Sequence, residues 1–216
     1  MVTQHRGDAI TAGHVLHWAH VYDLFGNLVT LGRAGAMREQ TVDLAALRAG
    51  ERVLEVGCGT GEVAQRARAR VGPTGRVSGI DPSAEMIGVA QHKAARAGLE
   101  IDYRVGAIEA LPYPAASFDA VLSSLMMHHL PDDLKSAGLA EVRRVLKPGG
   151  RLLIVDFTRP RRWLSRLAMR VLLHARLGRG FDDLPGIVAG AGFADVKSGQ
   201  TRFDFLGFVS GRAPGG

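Results

Sequence analysis

Cysteine is nearly absent from this chain of 216 residues, which has a single one, Cys58. One cysteine excludes an internal disulfide and a cysteine-rich metal site. No apolar run reaches the roughly 20 residues that a membrane-spanning helix needs. The first residues also lack the charged-then-apolar pattern of a secretory signal. Because both of these signals are lacking, we expect a cytoplasmic protein, and the overall composition is ordinary for a globular domain.

Acidic residues are scarce in the last third of the sequence. Residues 1–140 carry 13 Lys/Arg and 15 Asp/Glu, a net charge of −2, whereas residues 141–216 carry 14 and 6, a net charge of +8. This asymmetry indicates an acidic partner near the C-terminal third or a well-solvated surface.

A buried strand followed by three alternating glycines is the most informative stretch. Residues 52–56 are apolar and β-branched, which is typical of a central parallel strand. The turn that follows has Gly57, Gly59 and Gly61, and glycine lets a backbone approach a ligand closely. A helix predicted from about residue 60 would point its free N–H groups at whatever fills the turn. The spacing is one residue tighter than in the dinucleotide-binding pattern.

Strands and helices alternate regularly after this turn. Further strands are predicted over 76–80, 100–105, 118–123 and 151–155, with helices over 83–97 and 132–146 between them. Gly-Pro-rich turns at 72–75 and 147–150 separate them. Such alternation is typical of βαβ crossovers and a parallel sheet.

Asp81 ends the second strand, where a carboxylate can bind both hydroxyls of a ribose. Together, Glu55-x-Gly57-x-Gly59-x-Gly61 and Asp81 resemble motif I and the next acidic position of class I S-adenosylmethionine-dependent methyltransferases. The segments 118–121, 128–131 and 146–152 follow in the order seen in ubiquinone/menaquinone-biosynthesis methyltransferases. Tyr22-Asp23 and a helix over 184–191 also resemble that group.

The resemblance implies a doubly wound, Rossmann-like α/β fold. We expect a seven-stranded, mostly parallel sheet with one antiparallel strand, the late strands being 195–201 and 203–210. Residues 1–50 would form a helical N-terminal extension, with helices over 13–25 and 35–47, and residues 51–216 the methyltransferase domain. A helical insert over 158–180 would follow the fifth strand.

The same resemblance implies S-adenosylmethionine as cofactor and S-adenosylhomocysteine as product. The implied cofactor-binding residues are Tyr22, Glu55, Gly57, Cys58, Gly59, Gly61, Asp81, Pro82, Met86, Gly106, Ala107, Ile108 and Ser123. One position departs from the family, which usually has Asp or Asn where this chain has Ala107. Adenine recognition would therefore rest on backbone groups, Ile108 and Met86.

A histidine and an aspartate follow neighbouring strands, His128 after the fourth and Asp156 at the end of the fifth. Since parallel strands end at one edge of the sheet, we expect the two to lie close together. A carboxylate can orient an imidazole that acts as a base, and the resemblance implies this role for His128 and Asp156, with His129 as the second choice. Helix capping and pocket lining are the alternative roles.

Three N-terminal histidines, at positions 14, 17 and 20, lie three residues apart on the predicted first helix. This spacing drifts by about 60° per step around the helix, so we expect no metal site. Tyr22 on the same helix would close the pocket or belong to the core.

Seven arginines and no acid occur within residues 159–179. On a helical projection the arginines at 159, 162, 166 and 170 share one face and the apolar residues the other, which predicts a basic amphipathic helix. It is either a lid that contacts anionic lipid headgroups or a solvated surface helix. Nucleic-acid binding is not expected, because no known module is present.

These observations predict methyl transfer to a small, hydrophobic acceptor. A quinone-like or phenolic ring, methylated on carbon or oxygen, is the first hypothesis. A phospholipid amine of the phosphatidylethanolamine type at the membrane surface is the second. The third is a cofactor-binding cyclase or partner protein that transfers no methyl group.

Overall fold

The computed structural model describes Thr30, residues 32–160 and residues 180–215. In chain order, the regular elements are α1 (Ala34–Leu44), β1 (Arg52–Val56), α2 (Glu62–Val71), β2 (Arg76–Asp81), α3 (Ala84–Arg96), β3 (Asp102–Val105), β4 (Phe118–Ser124), a 3₁₀ turn (Met127–His129), α4 (Asp132–Val145), β5 (Leu146–Phe157), α5 (Leu184–Gly190), β6 (Ala194–Gln200) and β7 (Leu206–Arg212).

The seven strands form one sheet in the order β3-β2-β1-β4-β5-β7-β6. All pairs from β3 to β5 are parallel, and β7 runs antiparallel to both β5 and β6. The prediction of a seven-stranded sheet with one antiparallel strand is therefore confirmed. The strand order reverses between β1 and β4, and in open α/β sheets ligands bind at the carboxyl ends of the strands beside this switch point.

Helices cover both faces of the sheet, which explains why β1 has apolar side chains on both of its faces. Val53 packs in a cluster with residues of α1, α2 and α3 on one face. Leu54 and Val56 pack on the other face with residues of α4 and α5. Because successive side chains of a strand point to opposite faces, a strand that is covered on both faces has apolar residues next to one another in the sequence.

Several element boundaries differ from the predicted ones for local reasons. α2 begins at Glu62 rather than near residue 60, because Gly61 has a left-handed φ of 79° that a helix cannot contain. β5 begins at Leu146 and includes the predicted 147–150 turn. The turn residues stay paired because the Gly149 N–H donates to the carbonyl of Ala213, and the Ala213 N–H donates to Gly150.

The last strand begins at Leu206, three residues later than predicted. The hydroxyl of Thr201 accepts from the Phe203 N–H and donates to the carbonyls of Phe203 and Leu206. These bonds form a turn over 201–205 that competes with the strand ladder.

Some predictions concern residues outside the described ranges. They are the first helix with its three histidines and Tyr22, and nearly all of the arginine-rich insert, residues 161–179. Within the ranges that are described, no helix has the length and apolar character to cross a bilayer.

Candidate active site

A cleft opens at the carboxyl edge of the sheet beside the switch point. It encloses about 1070 Å³, counting its open mouth. The glycine turn, the end of β2, the loop after β3 and the segment after β4 form its walls. Ten of the predicted cofactor-binding residues line it: Glu55, Gly57, Cys58, Gly59, Asp81, Pro82, Met86, Gly106, Ala107 and Ile108.

The three glycines of the turn all have left-handed backbones, with φ of 68°, 50° and 79°. A Cβ on Gly57 would collide with Met126, and one on Gly61 with Tyr103. At Gly59 a Cβ would meet no atom within 4 Å. The outer two glycines thus permit close packing inside the protein, whereas Gly59 leaves open space that a ligand can occupy.

Asp81 joins the glycine turn to the start of α3. One carboxylate oxygen accepts from the Gly59 N–H at 2.9 Å, and the other accepts from the Ser83 N–H at 2.9 Å. Burial raises the pKa of Asp81, while these two hydrogen bonds act in the opposite direction. The carboxylate is therefore held in a fixed position on the cleft wall, where its remaining lone pairs can accept from ligand hydroxyls.

Glu55 places a second carboxyl group beneath the turn, where only 2% of the residue is exposed. Its pKa is raised to about 8, mainly by burial. A backbone hydrogen bond from Ala64 acts against this rise, and the negative charge of Asp81 contributes to it. Its Oε2 atom has no hydrogen-bond partner among the described residues. A buried carboxyl group with one unpartnered oxygen in a cleft wall fits a ligand that carries positive charge.

His128 and Asp156 lie together, at the edge of a second, smaller pocket. The Nδ1 atom of His128 lies 2.7 Å from Oδ1 of Asp156, and the His128 N–H donates to Oδ2 at 3.0 Å. The Phe157 N–H also donates to Oδ1, at 2.7 Å. These contacts fix the imidazole and direct its Nε2 atom away from the carboxylate, the arrangement of an oriented base.

Among the described residues, four predicted site residues lie away from the cleft lining, namely Gly61, Ser123, His128 and Asp156. Gly61 acts through packing, and the Ser123 side chain is buried while its neighbour Ser124 lines the cleft. His128 borders the second pocket, whereas His129 lines the cleft. The two imidazole rings lie 3.9 Å apart between their centroids, so they form the partition between the pocket and the cleft.

Sequence reasoning missed five polar residues of the cleft, namely Arg38, Thr60, Glu62, Glu109 and Ser124. Arg38 comes from α1, and its guanidinium lies 3.9 Å from the Glu62 carboxylate. Burial alone would raise the pKa of Glu62, but hydrogen bonds from Lys93 and Arg66 outweigh it and lower the pKa to about 2. The helix predicted over residues 35–47, just ahead of the first strand, was the available signal for Arg38.

Comparison with known proteins agrees with this geometry. The profile of a family described as a methyltransferase domain matches residues 53–150. A solved S-adenosylmethionine-dependent methyltransferase of Aquifex aeolicus has the same fold, with a TM-score of 0.68 and 22% identity over 88% of this chain and 97% of that one. The [4+2]-cyclase SpnF is as similar in fold, with a TM-score of 0.70 and 20% identity over 92% and 94%. The fold and the site thus define the class of S-adenosylmethionine-dependent methyltransferase folds.

Proteins that are related in sequence identify the family within this class. The demethylmenaquinone methyltransferase of Thermus thermophilus is 34% identical over 78% of this chain and 74% of its own length. The ubiquinone/menaquinone biosynthesis C-methyltransferase of Hahella chejuensis is 36% identical over 64% of this chain, and the match spans only 56% of that protein. The chain belongs to the family of S-adenosylmethionine-dependent methyltransferases of this ubiquinone/menaquinone type.

Proposed function

We propose that this chain transfers a methyl group from S-adenosylmethionine to a small aromatic acceptor of quinone or phenol type. The observation that carries the proposal is the position of the His128–Asp156 pair, one imidazole away from the glycine-lined cleft. The names of the sequence relatives favour quinone-type acceptors and methylation of carbon.

The cleft residues fit the cofactor by charge and by shape. Asp81 would accept the ribose hydroxyls, and the space at Gly59 admits the ligand against the backbone. Met86 and Ile108 offer apolar contacts for adenine, whose amino group must find a backbone acceptor because Ala107 has none in its side chain. When bound, the cofactor supplies a methyl group that its sulfonium charge makes electrophilic.

Charged groups in the cleft would orient the amino-acid end of the cofactor. Arg38 supplies a cation for the carboxylate, and Glu55 and Glu62 supply acceptors for the ammonium group. Holding donor and acceptor in line can lower the barrier by about 7–11 kcal/mol. Orientation is thus the main contribution that these side chains make.

The His128–Asp156 pair would remove a proton from the acceptor. A hydroxyl, or a ring carbon after attack, needs such a base, whereas an amine needs less help. His129 lines the cleft directly and remains the second candidate. Capping and pocket lining are the roles that would remain if neither imidazole moves a proton.

The other two hypotheses have less support. The phospholipid hypothesis depends on the arginine-rich insert, which lies almost wholly outside the described residues. The cyclase hypothesis gains nothing from SpnF, because a likeness at 20% identity shows the fold alone.

Two measurements test the proposal. Calorimetry with S-adenosylhomocysteine should show binding to the purified protein, and Asp81→Ala should weaken it at least about tenfold by removing the ribose contact. Methyl transfer should then be detected by mass spectrometry on a short-chain demethylmenaquinol and be absent on phosphatidylethanolamine vesicles. Transfer to the lipid alone would favour the second hypothesis, and tight binding without transfer to either acceptor would favour the third.

A further inference from the structure

Glu109 is an acidic residue of the cleft wall whose carboxylate is not fully partnered inside the protein. It lies in the loop after β3, which lines the cleft with Gly106, Ala107 and Ile108 as well. The Oε2 atom of Glu109 is buried and accepts no hydrogen bond from the described residues. Because a buried carboxylate oxygen without a donor is costly, a ligand in the cleft that offers an N–H or O–H group would stabilise it.

The loop after β3 is held in place by groups other than the Glu109 side chain. The Ala110 N–H donates to the carbonyl of Ala107 at 3.2 Å. The Leu111 N–H donates to the carboxylate of Glu141, on α4, at 3.0 Å. These bonds satisfy the two backbone N–H groups that follow Glu109, so its Oε2 atom is left for another partner.

The order of the strands places this loop at one end of the cleft. β2, which ends at Asp81, lies between β1 and β3 in the sheet. The Gly106 N–H donates to the Asp81 carbonyl at 3.1 Å, so the loop begins beside the residue proposed to bind the ribose. Glu55, which is proposed to bind the ammonium group, lies in β1, on the opposite side of β2. A ribose held at Asp81 would therefore direct the adenine ring toward the loop that carries Glu109.

The amino group of adenine has two N–H donors, and a backbone acceptor can take one of them. The second N–H needs another oxygen, which the side chain of Ala107 lacks and the side chain of Glu109, two residues later, has. We propose that Glu109 accepts a hydrogen bond from the adenine amino group and thereby selects a cofactor that carries this group. This inference rests on the proposed placement of S-adenosylmethionine in the cleft. A carboxylate is a strong acceptor, because its charge strengthens the hydrogen bond.

A double-mutant cycle measured by calorimetry tests this hydrogen bond. The two ligands are S-adenosylhomocysteine and its 6-deamino analogue, in which a hydrogen atom replaces the amino group. The two proteins are the native chain and Glu109→Met, which keeps a side chain of similar length without an acceptor oxygen. We expect the native protein to bind S-adenosylhomocysteine more than about tenfold more tightly than the analogue. Glu109→Met should lower this preference at least about tenfold, the usual effect of losing a charge-assisted hydrogen bond.

The ratio of the two affinities separates this role from others. If Glu109 supported only the loop, or faced another part of the cofactor, Glu109→Met would weaken both ligands equally. Glu109→Ala also removes the acceptor oxygen and gives the same test if Glu109→Met fails to fold. Glu100→Met, at an exposed position ahead of β3, is the matched control and should leave both affinities unchanged.

Two results would overturn the inference. An unchanged preference in the Glu109 variants, with S-adenosylhomocysteine bound by the native protein, would overturn it alone. Failure of the native protein to bind S-adenosylhomocysteine would overturn the placement of the cofactor in the cleft as well.

Discussion

At the scale of single residues, the catalytic proposal depends on two backbone N–H groups as much as on the imidazole. The backbone N–H groups of His128 and Phe157 both donate to the Asp156 carboxylate, which also contacts the His128 ring. Phe157 packs edge-on against the His128 ring, at 70° between the planes. An imidazole restrained in this way needs little reorganisation before it accepts a proton.

Asp156→Asn should lower kcat by about 10²- to 10⁴-fold, because a neutral amide does not stabilise the protonated imidazole and can hold it in the wrong tautomer. Affinity for S-adenosylhomocysteine should change by less than about twofold, since Asp156 lies outside the cleft lining. Steady-state kinetics measures kcat, and calorimetry measures the affinity for S-adenosylhomocysteine. Asp133→Asn, at an exposed position of α4, is the matched control. An unchanged kcat would show that the pair is structural.

The glycine turn offers a second residue-scale test. Gly59→Ala should cost about 1–2 kcal/mol of stability because of its left-handed φ, with no added clash. The new methyl group would occupy the ligand's space, so we expect binding of S-adenosylhomocysteine to weaken by at least about tenfold, as calorimetry would show. Gly57→Ala should destabilise the fold more, because its Cβ meets Met126. Gly88→Ala, at an open helical position, should leave binding unchanged, and full binding by Gly59→Ala would contradict the assignment.

At the scale of elements, the helix termini place the charged groups of the cleft. Ser83 caps α3, since its hydroxyl accepts from the Met86 N–H at 3.3 Å. The Ser83 N–H in turn donates to Asp81. The cap therefore joins the start of the helix to the proposed ribose-binding residue.

Ser83→Ala should lower the free energy of unfolding by about 1 kcal/mol, the usual effect of losing an N-cap side chain. This corresponds to a fall in Tm of about 2–4 °C for a domain of this size. Thermal unfolding followed by circular dichroism measures it. Ser136→Ala removes an exposed hydroxyl within α4 and should change Tm by less than about 2 °C. If Ser83→Ala and Ser136→Ala lower Tm equally, the Ser83 cap stabilises the fold no more than an exposed hydroxyl does.

The segment after β4 shows strain at the element scale. Leu125 has a left-handed φ of 56°, which is rare for a residue with a branched side chain. Its N–H donates to the carbonyl of Val155, which holds this conformation. Such strain at the edge of a cleft is typical of functional positions, and here it precedes the 3₁₀ turn that carries both histidines.

At the scale of the whole molecule, the stability should depend on pH, because the pKa values of several carboxyl groups differ between the folded and the unfolded chain. The pKa of Glu55 is about 8 in the folded protein and near 4.5 in the unfolded chain. A raised pKa contributes stability that is complete below pH 4.5 and is lost as the pH rises through 8. Asp81 acts in the same direction. Glu62 acts in the opposite direction, because its contribution to the stability of the fold is lost only as the pH falls from 4.5 through 2.

Glu55→Gln should therefore gain stability relative to the native protein as the pH rises from 5 to 8. The difference between the two should shift by about 3 kcal/mol in favour of the variant. Urea unfolding at both values measures it, and Glu100→Gln, at an exposed position, should show no such shift. A constant difference across this range would contradict the raised pKa.

The local sequence determined much of the fold. β1 matches its predicted range of residues 52–56, because a short run with β-branched valines that ends at Gly57 favours a strand over a helix. α3 lies one residue inside its predicted range at each end, because Ser83 and Gly98 are strong start and stop signals. The resemblance carried by the motifs then predicted the sheet and the family.

Only the tertiary structure decided which side chains meet. Ser124 rather than Ser123 lines the cleft, because successive side chains of β4 point to opposite faces of the sheet. His129 rather than His128 lines it, because successive side chains of the 3₁₀ turn project about 120° apart. Arg38 reaches the cleft because α1 packs on α2, and Lys135 and Asp156, which are 21 positions apart, border the same small pocket. Local patterns determine elements through nearest-neighbour sterics and periodic burial, whereas contacts between distant residues depend on how those elements pack.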